Sequence, residues 1–488
     1  MQDFVVFVYV SALCVLFAFG LHGLVMVYYY HKTKKVSHPD LDHPEELPLV
    51  TVQLPLFNEM YVVERLISSV CEMHYPKEKL EIQVLDDSTD ETVHVTKALV
   101  EKYANKGFNI VYVHRTNREG YKAGALKHGL LTAHGEFVAV FDADFVPKPE
   151  FLLKTIPHFQ NPKIGMVQTR WEHLNEEYSF LTRAQALALD GHFVIEQQVR
   201  NKAGFFINFN GTAGIWRRTC IEDAGNWHPD TLAEDLDLSF RAQLKGWKFI
   251  FLNDVTSPAE LPADINSLKS QQFRWTKGAV EAAKKLLPAV WRSKQIPLKV
   301  KLECTVHLTS NIVFPFILVV AMLNIPMVII KNLNEDNALY KDMFALMSIF
   351  VLASISTFLF YYHAQKDIHL DWRRRLLLFP VFMAGSMGLA VNNTKAVFEA
   401  LWGKKSEFTR TPKFKIVDGN DQWKDKQNYV AKKVGIAVII ELAFALYFFI
   451  GICTSIYYNQ IAAIPFQLMF LMGFSTVGIL SLRHKLGR

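Results

Sequence analysis

The sequence predicts an α/β domain with a mostly parallel sheet, held between membrane-spanning helices. Three observations predict it. Between residues 48 and 262, short apolar runs rich in β-branched residues alternate with stretches of helical spacing, the pattern of a Rossmann-type sheet. Two of those runs end in acids, Asp86-Asp87 and Asp142-Ala-Asp144, which places a ligand at the C-terminal edge of the sheet. Apolar residues also gather at the N-terminus and in the last two-fifths of the 488-residue chain. Half of the residues are hydrophobic, 13% are aromatic, and the mean hydropathy is +0.11. That is more apolar than an ordinary soluble domain.

Taken in order, residues 4–30 form a first span. The run is too long for a signal-peptide core and has no basic segment before it. The basic stretch at 31–35 marks its cytosolic side, and a charged linker covers 36–47. A strand is expected at 50–54, stopped by Pro55, and a helix at 61–73. A strand at 82–85 ends in Asp86-Asp87-Ser88 and is followed by a helix at 90–103. A strand at 110–114, a helix at 123–133 and a strand at 137–141 complete the first half. The second half, expected to handle an acceptor, reads as a strand at 164–169 and one long helix at 179–200. A Gly-interrupted aromatic stretch at 205–216, a helix at 231–244 and a strand at 247–252 follow.

Residues 265–301 are basic and amphipathic, which suits a membrane–water interface. Long apolar runs then occur at 303–331, 342–363, 435–457 and 461–482. A shorter run, 376–391, is broken by Pro380 and two glycines and is expected to dip into the membrane or lie along it. Loops 332–341 and 457–460 fit the outside, whereas the basic segments 363–375 and 402–434 and the basic tail fit the cytosol. The expected topology has five spans and a cytosolic domain. The chain divides into a first helix (1–35), the α/β domain (48–262) and interfacial helices (263–301). Two spans (302–364), an interfacial helix with a loop (365–433), and two spans with the tail (434–488) complete it.

The net charge is +6, with the basic residues clustered beside the apolar runs, so no nucleic-acid surface is expected. The five cysteines are odd in number, widely spaced and form no CxxC pair, which suggests neither a disulfide framework nor a zinc site. His114, His128 and His192 have no metal-ligand spacing and read as ordinary polar or core residues.

Four clusters carry candidate chemistry: Asp86-Asp87, Asp142-x-Asp144, Glu234-Asp235 with Asp237, and Gln271-x-x-Arg274-Trp275. Each alone has a plain structural explanation: a helix cap, a turn, a helix dipole or a membrane anchor. Two carboxylates one residue apart repel each other unless a cation lies between them. Mg²⁺ or Mn²⁺ with phosphate oxygens is the usual solution.

In this order, on an α/β domain beside a membrane, the clusters resemble those of the membrane-embedded family 2 inverting glycosyltransferases. These include cellulose synthase, the plant cellulose-synthase-like mannan and glucan synthases, and bacterial relatives. The resemblance covers about residues 48–415. The stretches at 84–90 (VLDDSTD), 120–126 (GYKAGAL) and 209–216 (FNGTAGIW) match the mannan and glucan synthase branch.

The resemblance implies a cytosolic GT-A fold. It also implies a nucleotide-sugar donor, a growing polysaccharide acceptor, a lipid bilayer around the helices, and Mg²⁺ or Mn²⁺. Asp86, Asp87 and Glu59 would hold the nucleoside. Lys122, Asp142 and Asp144 would grip the diphosphate, Asp144 mainly through the metal. Gln271 and Arg274 would also serve the donor, Arg274 by stabilising the leaving group. Asp235, beside Glu234, would be the catalytic base. Trp275 would stack under the acceptor sugar, and Asn210, Gly211 and Thr212 would line its site. Phe408, Thr411 and Lys413 match the FxVTxK gating loop of cellulose synthase, with Arg410 in place of Val. A second departure is Ala233, where cellulose synthase has Thr, which leaves acceptor geometry less defined than donor geometry.

The first expectation is a processive β-glycosyltransferase that makes a β-glucan from UDP-glucose and moves it across a cell or Golgi membrane. A GDP-mannose-dependent mannan or glucomannan synthase is the alternative. A glycolipid glucosyltransferase is another, though it needs fewer spans. A transporter with a regulatory domain gives no reason for Asp142, Asp144, Asp235 and Arg274 to converge.

Overall fold

A computed structural model describes residues 1–34, 36, 41–42, 44–406, 408, 410–417, 421 and 435–485. The basic segment 422–434 and residues 486–488 of the tail, assigned to the cytosol by charge, lie outside the described residues.

The α/β domain is built on a seven-stranded sheet of order β3-β2-β1-β4-β6-β5-β7. The strands are β1 (Val50–Leu56), β2 (Leu80–Asp86), β3 (Asn109–His114), β4 (Phe137–Val140), β5 (Ile164–His173), β6 (Gly214–Arg217) and β7 (Lys248–Ala259). β2 and β4 are buried along their whole length and β1 almost so, as expected for central strands covered on both faces. β1 pairs in parallel with β2 and β4, and only β6 runs antiparallel to its neighbours β4 and β5. The ends of β1, β2 and β4 therefore meet at one edge, and the reversed β6 brings the turn before it to the same place.

Pro55 does not stop β1. The Gln53 carbonyl accepts from Phe141 N–H at 3.2 Å, on the β4 side, and the Leu56 carbonyl accepts from Asp87 N–H at 3.0 Å, on the β2 side. Side-to-side alternation turns Pro55 toward β4, whose pairing with β1 has ended at Gln53. Its missing N–H therefore costs no ladder bond.

Two other elements differ from expectation. β7 runs to Ala259 rather than ending near 252, because it stays paired with the long β5 across a register shift. The helix expected over 179–200 is continuous in space but contains a π turn, Gly191–Gln197, between Phe180–Asp190 and Gln198–Lys202.

The amphipathic stretch begins as a 28-residue helix, Ile265–Arg292. The Asp264 side chain caps it, accepting from Asn266 N–H at 2.9 Å and Ser267 N–H at 2.8 Å. Among the described residues, five helices are long and apolar enough to cross a membrane: Gln2–Thr33, Leu298–Leu333, Ala338–Ile368, Ile436–Tyr457 and Ile461–Arg483. The pair Trp372–Gly388 and Ala390–Leu401, bent by 46°, would make a sixth if it crossed.

The long amphipathic helix is fastened to this bundle by a buried ion pair. Lys269 Nζ lies 2.6 Å and 2.9 Å from the two carboxylate oxygens of Glu441. Asn392 donates to the Lys269 carbonyl at 2.9 Å. Asn311 accepts from Thr276 at 3.4 Å. Both asparagines therefore make interhelical bonds.

Removing one member of a buried pair strands the other charge, at about 3–5 kcal/mol. Glu441→Ala should lower thermal stability in detergent by that order. Replacing both residues with apolar ones (Lys269→Met with Glu441→Leu) should recover most of the loss.

Candidate active site

The acids at the strand ends open into one cavity. It is lined by Glu59 after β1, Asp87 after β2, Asp142 and Asp144 after β4, and Glu234 and Asp235 at the start of the helix Glu234–Leu244. Asn210 and Gly211 form part of its wall, and Gln271, Arg274 and Trp275 reach it from the long amphipathic helix. Phe408, Arg410, Thr411 and Lys413 complete the lining.

Asp86 and Thr212 lie behind the lining. Asp86 is fully buried and accepts from Ser88 N–H at 2.9 Å and the Tyr112 hydroxyl at 2.8 Å. The Thr212 hydroxyl accepts from Asp142 N–H at 2.9 Å and so orients that backbone. Asp87 is gripped bidentately by Arg115, at 2.8 Å and 2.5 Å.

Seven carboxylates line this space against five lysines and arginines, and burial with this crowding moves several of their pKa values. Burial first, and then the neighbouring Glu234 charge, push the Asp235 carboxyl up to about 7. Burial also raises Glu234 and Asp142, and Asp144 adds to the effect on Asp142. Glu59 is pushed up to about 8 by burial, against the opposing pull of Arg410. Burial works against the Lys122 ammonium, but Asp142, Glu234 and Asp235 outweigh it and hold its pKa above the usual value.

The cations come from several elements. Lys122 Nζ lies 2.5 Å from Asp142 Oδ1 and donates to the Gly211 carbonyl at 2.8 Å. Gly211 has φ +80°, and a Cβ there would sit 3.0 Å from Asp235 Oδ2, so glycine lets the turn lie against the acid. Arg274 donates to Thr411 Oγ1 at 3.1 Å, with its guanidinium 4.5 Å from the Phe408 ring centre.

The loop lies in the site. Lys413 Nζ is 2.7 Å from Asp144 Oδ2, and Arg410 Nη1 is 2.7 Å from Glu59 Oε2. Glu260, at the end of β7, anchors the loop by accepting from Phe414 N–H at 2.8 Å and from Lys413 through its carbonyl at 2.6 Å. The expected strand end near 252 hid Glu260, and no local signal marks Arg115 or the Arg410–Glu59 pair.

Asp142 and Asp144 suit a hard divalent cation. Their carboxylates share the cavity, the Asp144 charge raises the Asp142 pKa, and oxygen donors are what Mg²⁺ and Mn²⁺ prefer. A separate trio, His228, Asp230 and Asp237, brings three ligand atoms within 4.8 Å of one another. It lies outside the cavity, and Lys285 is 2.8 Å from Asp230 and 2.9 Å from Asp237, with Arg241 2.8 Å from Asp237.

Residues 48–278 match the model of the family described as glycosyltransferase like family 2. That stretch, just under half of the chain, is similar to the family 2 glycosyltransferases, and the curated relatives it matches are glucomannan mannosyltransferases. Glucomannan 4-beta-mannosyltransferase 2 of Arabidopsis thaliana is 43% identical over 283 residues, 56% of this chain and 53% of that protein. Glucomannan 4-beta-mannosyltransferase 1 of Cyamopsis tetragonoloba is 44% identical over 271 residues, 54% of this chain and 51% of that protein. The chain thus spans about half the length of the curated relatives it matches. The solved structure of the mannosyltransferase PcManGT from Pyrobaculum calidifontis, in complex with GDP-Man and Mn²⁺, shares the fold. Its TM-score is 0.55 at 19% identity, over 82% of this chain and 99% of that one.

The start of the Glu234–Leu244 helix is packed tightly against the amphipathic helix. A Cβ at Gly278 would lie 2.9 Å from both the Cβ and the backbone N of Ala233. Gly278→Val should displace Glu234 and Asp235 and lower sugar transfer at least tenfold. The expected stability cost is only about 1–3 kcal/mol, checked by activity and thermal unfolding on the same preparation.

Proposed function

We propose that this chain is a membrane-bound inverting 4-β-mannosyltransferase that transfers mannose from GDP-mannose to a growing β-mannan or glucomannan. From the sequence, UDP-glucose and a β-glucan are the first expectation and GDP-mannose the alternative, on motifs that both branches share. The relatives at 43% to 46% identity carry the glucomannan mannosyltransferase name, which weighs for the mannan alternative. GDP-Man and Mn²⁺ are also the ligands of the Pyrobaculum enzyme.

One observation carries the chemistry: Asp235, its pKa raised to about 7, shares a cavity with the Asp142/Asp144 pair. A base of that strength is matched to neutral pH. In this reading Asp235 takes the proton from the acceptor hydroxyl as that oxygen attacks the anomeric carbon. Leu236 N–H holds Oδ1 at 2.8 Å, and Oδ2 faces Gly211. The carbon–oxygen bond to the diphosphate breaks as the new bond forms on the opposite face, so the configuration inverts. The proton remains on Asp235, and the nucleoside diphosphate leaves. Mg²⁺ or Mn²⁺ held by Asp142 and Asp144 would supply positive charge to that leaving group. Lys122 and Arg274 add fixed charge to it.

Asp86, Asp87 and Glu59 serve the nucleoside end in this account. Trp275 gives the acceptor sugar an apolar face, and Gln271 borders the donor. The loop Phe408, Thr411 and Lys413 closes the donor side. Donor loading then requires Lys413 to leave Asp144, since the amine and a divalent cation draw on the same carboxylate. The five apolar helices support a membrane location, with the domain facing the side where nucleotide sugars are made.

Purified protein incubated with labelled GDP-mannose, UDP-glucose and UDP-GlcNAc should build product from GDP-mannose, cleaved by a β-1,4-mannanase. Asp235→Asn should reduce that transfer by at least a thousandfold with donor affinity retained. Product from UDP-glucose alone would sink the mannose reading, and normal transfer by the Asn variant would sink the base.

A further inference from the structure

The π turn Gly191–Gln197 lies outside the proposed chemistry, yet two of its residues hold a wall of the cavity. Single π turns sacrifice regular helical bonds and recur at functional sites. Here the turn presents His192 and Gln197 to Asn210, which lines the cavity beside Gly211. Gln197 Nε2 donates to the Asn208 carbonyl at 2.7 Å and to Asn210 Oδ1 at 2.5 Å. With its oxygen taken, Asn210 turns its Nδ2 toward His192 Nε2, 2.9 Å away. An amide N–H only donates, so His192 Nε2 must accept. The imidazole is therefore neutral with its proton on Nδ1, and that proton is donated to Glu196 Oε2 at 2.9 Å. Glu196 also lies 3.4 Å from Arg200 Nη1. Arg200 Nε donates to Glu303 Oε1 at 2.9 Å, and the second Glu303 oxygen is 2.8 Å from His22.

A chain of polar contacts thus runs from the cavity wall to the first two membrane-spanning helices. Every link constrains the next. Arg200 holds Glu196, Glu196 selects the histidine tautomer, and the tautomer fixes the amide of Asn210. The adjoining Gly211 carbonyl is the acceptor for Lys122, and Gly211 sits against Asp235.

We propose that His192 is a positioning residue for the acceptor sugar, acting through Asn210. This rests on the glycosyltransferase reading of the same cavity, though not on the identity of the sugar. His192 touches neither reacting atom. It presents the amide of Asn210 in one orientation to an acceptor hydroxyl opposite Asp235, so its loss weakens acceptor binding and leaves the donor side intact.

The test uses the full-length protein, the nucleotide sugar that wild type transfers, and its own oligomeric product as acceptor. A wrong sugar assignment therefore fails the donor panel and leaves this test standing. His192→Ala should raise the acceptor KM about fivefold, the value of one lost neutral hydrogen bond, with donor KM unchanged. His192→Gln, whose amide oxygen accepts from Asn210, should restore most of the loss. His192→Ala combined with Asn210→Ala should cost no more than Asn210→Ala alone. Additive effects of the two substitutions would overturn the proposal. So would equal rises in donor and acceptor KM, or a Gln variant as impaired as the Ala variant at matched thermal stability.

Discussion

The constraint on which this structure turns is the mutual repulsion of carboxylates at one sheet edge. Glu59, Asp142, Asp144, Glu234 and Asp235 line one cavity, where the low dielectric magnifies repulsion between like charges. Such a cluster folds only if cations are brought to it. They arrive from separate parts of the chain: Lys122 from a helix after β3, Arg274 from the amphipathic helix, and Arg410 and Lys413 from the loop. Burial first, and neighbouring carboxylates second, keep the Glu59, Asp142, Glu234 and Asp235 pKa values raised even so. The same surroundings suit a divalent cation and a base that titrates near neutrality.

The cations also explain why the domain and the membrane helices form one machine. Arg274 and Trp275 belong to a helix clamped to the bundle through Lys269 and Glu441. Asn210 is tied through His192, Glu196 and Arg200 to Glu303 and His22. The cavity is thus tied to the apolar helices at two separate places, Glu441 and the Glu303–His22 pair. In the proposed reaction this holds the acceptor wall of the cavity beside the long apolar helices.

Much of this was legible in the sequence because it is written in local patterns. Strand β2 and its terminal Asp86-Asp87 follow from a short apolar run and its acids, and the five long apolar helices from composition alone. What local pattern cannot carry is pairing at a distance. Pro55 looked like a stop because β4's early end is invisible from within β1. The π turn looked like ordinary helix because no residue pattern marks it, and the reason for Gly191 is tertiary: a Cβ there would come within 2.5 Å of Tyr361. His192 looked inert because its partner is 18 residues away across a turn. Glu260 went unseen because β7 was cut short. Arg410 read as a departure from a motif until its carboxylate partner, Glu59, was in place. The sugar is not written in the motifs at all, since mannan and glucan synthases share them.

The central claim is that the crowded cavity tunes Asp235 to act as a base near neutral pH. The most direct measurement is the pH dependence of kcat/KM for sugar transfer, which reports groups of the free enzyme. A base must be deprotonated to act, so the rate should rise with pH through a midpoint near 7, where burial and Glu234 set the Asp235 carboxyl. A profile that stays flat from mildly acidic to neutral pH would contradict the account.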